Sequence, residues 1–217
     1  MTNATTRVEF ETKWGKKASG DLAVPAGTGK APAVVLIQEW WGVNDHIRSL
    51  ITRLAEDGFL ALAVDLYHGK VTKDPDEAGK LMAALDHERA LEDIEAAATY
   101  LTAHERAGGR VGVIGFCMGG MLTFRAAERI SDFSCAVPFY GVPPAEQYNV
   151  SKVRAPILIL HGEGDQVIPY TSGKYLYTLA NQPKTFHPLG DAGHEALSDP
   201  STWAAEADFI HRLFPTP

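Results

Sequence analysis

Cysteine is scarce: the 217-residue chain has two, Cys117 and Cys135. A disulfide framework in a chain this long would use more, so a reduced, cytoplasmic protein is expected. The sequons at Asn3 and Asn149 then carry no weight. Long apolar runs are missing as well, and none approaches the roughly 18 residues of a membrane span. The opening MTNATTRVEFETKWG lacks the apolar stretch of a secretory leader. Positive charge is in deficit, with 20 Lys and Arg against 27 Asp and Glu and a formal net charge of -7. That balance argues against nucleic acid or an anionic membrane as a partner, since both demand basic patches. H-x-x-x-H and C-x-x-C pairs are absent, so no metal site is expected. Repeats and low-complexity segments are absent too.

What is present is punctuated apolar structure. APAVVLIQ (31–38) follows the turn-forming PAGTGKAP and reads as a buried strand. NDHIRSLITRLAEDG (44–58) reads as a helix, capped by Asn44 or Asp45 and stopped by Gly58. FLALAVD (59–65) is a second buried strand, and 74–107 reads as one or two helices with a break near Asp86. RVGVIGF, SCAVPFYG, APILILHG and KTFHPL read as further strands. Helices are expected from Cys117 to about 130, around 172–180, and at 202–213. Short strands alternating with helices imply an α/β fold with a doubly wound, mostly parallel sheet in a single domain. Ligands collect outside the carboxyl ends of such strands, which directs attention to the residues just after each one.

One of those ends carries a glycine-flanked cysteine, Gly115-Phe116-Cys117-Met118-Gly119. This fits the G-x-nucleophile-x-G elbow, in which a reactive side chain is presented on a sharp strand-to-helix turn. A helix opening at Cys117 would also place the sulfur at a positive dipole end, favouring thiolate. Two more strand ends supply partners. Asp165 follows PILILHG, and His194 lies in AGHEAL after the next strand. A histidine can take the thiol proton and return one to the leaving group, and a carboxylate can fix its tautomer. The order nucleophile, acid, histidine is that of α/β-hydrolases. Asp191 is the rival acid, disfavoured because it sits on the histidine's own loop. His161 reads as a hydrogen-bonded structural residue and Cys135 as core.

The chain resembles the dienelactone hydrolase family of α/β-hydrolases over nearly its whole length. The resemblance rests on QEWWG (38–42), DLY (65–67), GFCMGG (115–120), FYG (139–141), HGEGDQVIP (161–169) and AGH (192–194). It implies a cysteine hydrolase of small esters or lactones that needs no cofactor. In that reading Cys117 is the nucleophile, His194 the base and Asp165 the orienting acid. The resemblance further implies an oxyanion hole from the backbone N–H groups of Met118 and Trp40, and a Glu39 carboxylate that keeps the resting thiol protonated. Trp41, Tyr67, Lys70 and Tyr140 are the expected lining of the substrate pocket.

The chain departs from the family pattern around the substrate. Lactone-cleaving members hold the substrate carboxylate with arginines, one shortly after the DLY stretch and one shortly after the histidine. Here those stretches read YHGKVTKD and HEALSDP, with Lys70 and Lys73 in the first and Glu195 and Asp199 in the second. The same triad could also serve a thioesterase, an acyltransferase or a peptidase. A non-catalytic binding protein on this scaffold would be expected to have lost a triad member, and none is lost.

Overall fold

The computed structural model describes residues 5–144, 148–194 and 209. The described residues form an α/β fold with a mostly parallel sheet and divide into two compact units, 1–111 and 112–217. In the first unit β1 (Thr6–Glu11), β2 (Lys17–Ala23), β4 (Leu60–Val64) and β3 (Ala31–Ile37) lie in that spatial order. β1 pairs with β2 and β2 with β4 antiparallel, whereas β3 and β4 run parallel. In the second unit β5 (Ala107–Phe116, which begins in the first unit), β6 (Cys135–Phe139), β7 (Ile157–His161) and β8 (Lys184–Pro188) follow one another, all parallel. The two leading strands were not apparent in the sequence. β1 alternates as a half-buried strand should, but Phe10 is its one fully buried side chain, and β2 lacks a β-branched residue.

The other elements follow from local chemistry. All five residues of β4, LALAV, are buried, as a parallel strand covered on both faces requires. α1 (Asp45–Glu56) is capped by Asn44, whose side chain accepts from the Ile47 N–H at 3.0 Å. Its Ile47, Leu50, Ile51 and Leu54 recur at helical spacing and are buried. The break near Asp86 is a second cap. α2 (Pro75–Ala83) ends just before it, and Asp86 accepts from the N–H groups of Glu88 and Arg89 to start α3 (His87–Ala103). α4 (Met118–Arg129) and α5 (Tyr170–Leu179) belong to the second unit. The helix expected at 202–213 lies outside the described residues except for the buried, helical Phe209.

Two buried acids stiffen the first unit. Asp21 accepts from Arg48 Nε at 2.7 Å and Arg7 Nη1 at 3.2 Å, and Asp65 pairs with Arg7. Asp65 also accepts from the N–H groups of Tyr67 and Gly69 at 3.2 and 2.7 Å, which holds the turn after β4. The aspartate of the DLY stretch is therefore engaged in shaping its own loop.

Candidate active site

The elbow is built by close packing. Cys117 lies between β5 and α4 with φ +53°, a left-handed conformation that costs a non-glycine residue of order 1–3 kcal/mol and persists only where its surroundings enforce it. Here they do. The Cys117 N–H donates to the Phe139 carbonyl at 3.1 Å, and its own carbonyl accepts from the Met121 N–H at 3.0 Å. A Cβ on Gly115 would lie 2.2 Å from the Gly119 carbonyl oxygen, and one on Gly141 would lie 2.1 Å from that of Cys117. Side chains at these positions would push the turn apart. The FYG stretch marked Gly141 in the sequence, but the reason for glycine there, β6 lying alongside the elbow, appears only in the fold.

α4 starts at Met118, so the cysteine stands at the positive end of a 12-residue helix, and the Met118 N–H lies in its first turn. The Cys117 side chain is partly exposed. Its Sγ lies 3.1 Å from His194 Nε2. On the far side of the ring, His194 Nδ1 lies 2.9 Å from Asp165 Oδ2. A carboxylate can only accept, so Nδ1 carries the hydrogen and Nε2 faces the sulfur. The rival Asp191 is exposed, and the carboxylate that meets His194 is that of Asp165.

Asp165 is held from its other oxygen. Oδ1 accepts from the N–H groups of Val167 and Ile168 at 2.8 and 2.9 Å, which leaves Oδ2 for the imidazole. The acid loop and the histidine loop are joined directly. Glu163 N–H donates to Gly190 O at 2.9 Å and Gly164 N–H to Ala192 O at 3.1 Å. A Cβ on Gly162 would sit 2.1 Å from the Ala192 oxygen, which is why HGEGD carries glycine there. Tyr140, expected to line a pocket, is buried with its ring 4.8 Å from that of His194. It forms a wall for the imidazole. His161 is the structural residue expected from the sequence, hydrogen-bonded to the Ile168 carbonyl at 2.9 Å. Burial pushes its imidazole below the ordinary histidine range, against the pull of Ile168 and Asp165.

The remaining expected residues lie in the first unit. Gln38 is fully buried and accepts from the Leu66 N–H at 3.3 Å, tying the QEWWG and DLY stretches together. Gly42 has φ +89°, and a Cβ there would meet the Lys70 carbonyl at 2.4 Å. The Trp40 and Trp41 rings meet edge-on with centroids 4.8 Å apart, Tyr67 is buried, and Lys70 and its neighbours at 68–69 are exposed. Glu39 is half-buried at the end of β3. A cavity of about 410 Å³ in this unit is lined by Arg7, Arg48, Asp21, Asp65, Val43 and Val71 among others. Its two arginines are engaged by Asp21, Asp65 and Asp45. Among the described residues, no group of three or more His, Cys, Asp and Glu is arranged to hold a metal ion, and no helix is long and apolar enough to cross a membrane.

The profile of the dienelactone hydrolase family matches residues 19–196, a span that includes QEWWG, the elbow, Asp165 and His194. The chain belongs to the dienelactone hydrolase family. Among its relatives, the Pseudomonas putida carboxymethylenebutenolidase is 32% identical over 201 residues, covering 87% of this chain and 85% of that protein. Protein usf of Aquifex pyrophilus is 35% identical over 170 residues, covering 74% of this chain and 72% of its own. A crystal structure from Klebsiella pneumoniae subsp. pneumoniae MGH 78578 overlays at 25% identity with a TM-score of 0.80, covering 99% of this chain and 100% of that one. As a member of the dienelactone hydrolase family, the protein is a hydrolase. The side chains of Cys117, His194 and Asp165 lie in one hydrogen-bonded line.

Proposed function

We propose that the protein hydrolyses small carboxylic esters or lactones through a Cys117–His194–Asp165 triad. The observation that carries this is the pair of contacts on one imidazole, 3.1 Å to the sulfur and 2.9 Å to a carboxylate. In the first half-reaction Cys117 Sγ attacks the ester carbonyl carbon, and the thiol proton passes to His194 Nε2. The C–O bond of the tetrahedral intermediate breaks, and His194 returns the proton to the departing alkoxide. In a lactone that alkoxide stays tethered to the acyl group. His194 then deprotonates a water that attacks the thioester, and collapse releases the acid and restores the thiol. The imidazolium formed at each transfer is stabilised by Asp165. In this reading the Met118 N–H meets the oxyanion, and the family resemblance adds the Trp40 N–H as its second donor. Turnover of a panel of lactones, aryl esters and thioesters tests the reaction class, with the Cys117→Ala protein as control.

The resemblance also assigns Glu39 the task of holding the resting thiol neutral, which protects it from oxidation and alkylation. Free enzyme is then expected to react slowly with iodoacetamide near neutral pH, and an inert substrate analogue should speed alkylation of Cys117. Fast alkylation without ligand, unchanged by the analogue, contradicts the gating.

Substrate charge follows from the missing arginines. A buried carboxylate left without its paired cation is costly, and removing one hydrogen-bonded charge partner costs about 2–5 kcal/mol, or roughly 30-fold or more in affinity. Arg7 and Arg48 do not make up the loss, because Asp21, Asp65 and Asp45 engage them. Neutral lactones or aryl esters are therefore expected to turn over at least as well as carboxylate-bearing ones. The ratio of kcat/KM for an anionic lactone to that for its methyl ester measures this. A ratio far above one that collapses in Lys70→Ala would hand the arginines' role to Lys70. A high ratio that survives the change would reveal a different anion site.

A further inference from the structure

The acid of the proposed triad is held by a loop, 161–169, whose neck is closed by a buried imidazole. His161 ends β7 with its side chain 1% exposed. Its Nε2 lies 2.9 Å from the Ile168 carbonyl oxygen and 3.4 Å from Asp165 Oδ2. The main chain of the same residue accepts from the Leu189 N–H at 3.0 Å, at the base of the histidine loop. A carbonyl only accepts, so Nε2 carries the hydrogen. Burial lowers the pKa of the ring, which favours the neutral form with its hydrogen on Nε2. The space around the ring is tight: Tyr170 packs edge-on at 6.0 Å, and a Cβ on Gly173 would fall 2.5 Å from Nδ1. The titratable groups facing the ring are Asp165, His194 and Tyr170.

These contacts form a closed chain. Asp165 Oδ1 grips the Ile168 N–H, and His161 grips the Ile168 carbonyl. The carboxylate is thereby fixed in rotation, with Oδ2 left facing His194. We infer that His161 is a positioning residue for the acid, closing the 161–169 loop through Ile168 and aiming Asp165 at His194. The inference rests on the triad reading above and deepens it.

The test compares His161→Gln with His161→Asn in the full chain. Gln can place an amide N–H near the position of Nε2, whereas the shorter Asn reaches about as far as Nδ1. With a neutral aryl ester, His161→Asn is expected to lower kcat about 10- to 100-fold with KM little changed, since a small misplacement of a catalytic group has effects of that size. The pH profile of Cys117 alkylation should move to higher pH, because a misaimed carboxylate supports the imidazolium less well. His161→Gln should restore both. Wild-type protein offers a check independent of any variant's folding: nitrogen NMR of the imidazole should show a neutral, Nε2-protonated His161 at pH 7. Wild-type kcat and alkylation profiles in both variants would overturn the inference, as would Gln failing like Asn, or an Nδ1-protonated or charged ring in the wild type. Turnover abolished in Cys117→Ala but normal in both His161 variants removes this inference alone. Normal turnover in Cys117→Ala removes the triad reading, and this inference with it.

Discussion

Replacing Cys117 by alanine is expected to lower kcat/KM on the best substrate by at least about 10³-fold while leaving the fold intact. Covalent catalysis has no substitute for the missing atom. Water would have to attack directly, and the proposed elbow donors and His194 would then act on a nucleophile they are not placed to hold. The residual rate reflects binding and oxyanion stabilisation alone. Alanine at 117 also relieves nothing in the backbone, because the strain at φ +53° is imposed by Phe139, Met121, Gly115 and Gly141 rather than by the sulfur. Serine at the same position should be far poorer than cysteine. Its hydroxyl is much less acidic than a thiol, and a single imidazole at the thiol's distance must then drive a harder deprotonation. Measuring both variants on one aryl ester, with the melting temperature as the fold control, decides this. A near wild-type rate in Cys117→Ala would mean that the 3.1 Å contact to His194 is packing.

The second large effect is expected at the other end of the line. His194→Ala should lose acylation and deacylation together, since one imidazole serves as base and acid in both steps. Asp165→Asn should fold normally and lose about 10²- to 10⁴-fold in kcat. An amide NH₂ facing Nδ1 would favour the tautomer with hydrogen on Nε2, and that ring can no longer take the thiol proton. The Val167 and Ile168 N–H groups would still find the remaining amide oxygen, so the loop should survive the change. Asp191→Asn should leave the rate almost unchanged, because that residue is exposed and Asp165 holds His194. A larger loss in Asp191→Asn than in Asp165→Asn would transfer the acid's role.

Much of the candidate site was legible because its residues sit where strands end. Cys117 and Asp165 stand at or just past apolar runs, those of β5 and β7, which is what made them candidates. The start of α1 was legible to within Asn44 or Asp45, and the break near Asp86 was legible as a break, though not as the N-cap of α3 that it is. What escaped was fixed by partners remote in sequence. β1 and β2 carry little apolar pattern, and their place comes from antiparallel pairing with one another and with β4. The glycines at 141 and 162 are dictated by the carbonyls of Cys117 and Ala192, which no local spacing reveals. His161 read as a structural histidine and is one, but its closeness to Asp165 appears only when the 161–169 loop folds back on itself. Tyr140 was expected to line a substrate pocket, and its buried ring lies tilted beside the His194 imidazole, a closeness that no local spacing reveals.

The most direct test of the proposed chemistry is intact-protein and peptide mass spectrometry after rapid acid quench during turnover of an activated aryl ester. A covalent triad predicts an acyl adduct on the peptide containing Cys117, formed at a rate no slower than turnover and accumulating if deacylation is slow. The adduct should be absent from Cys117→Ala. Turnover with no adduct at any quench time, even in a variant slowed in deacylation, or an adduct on a residue other than Cys117, would contradict it.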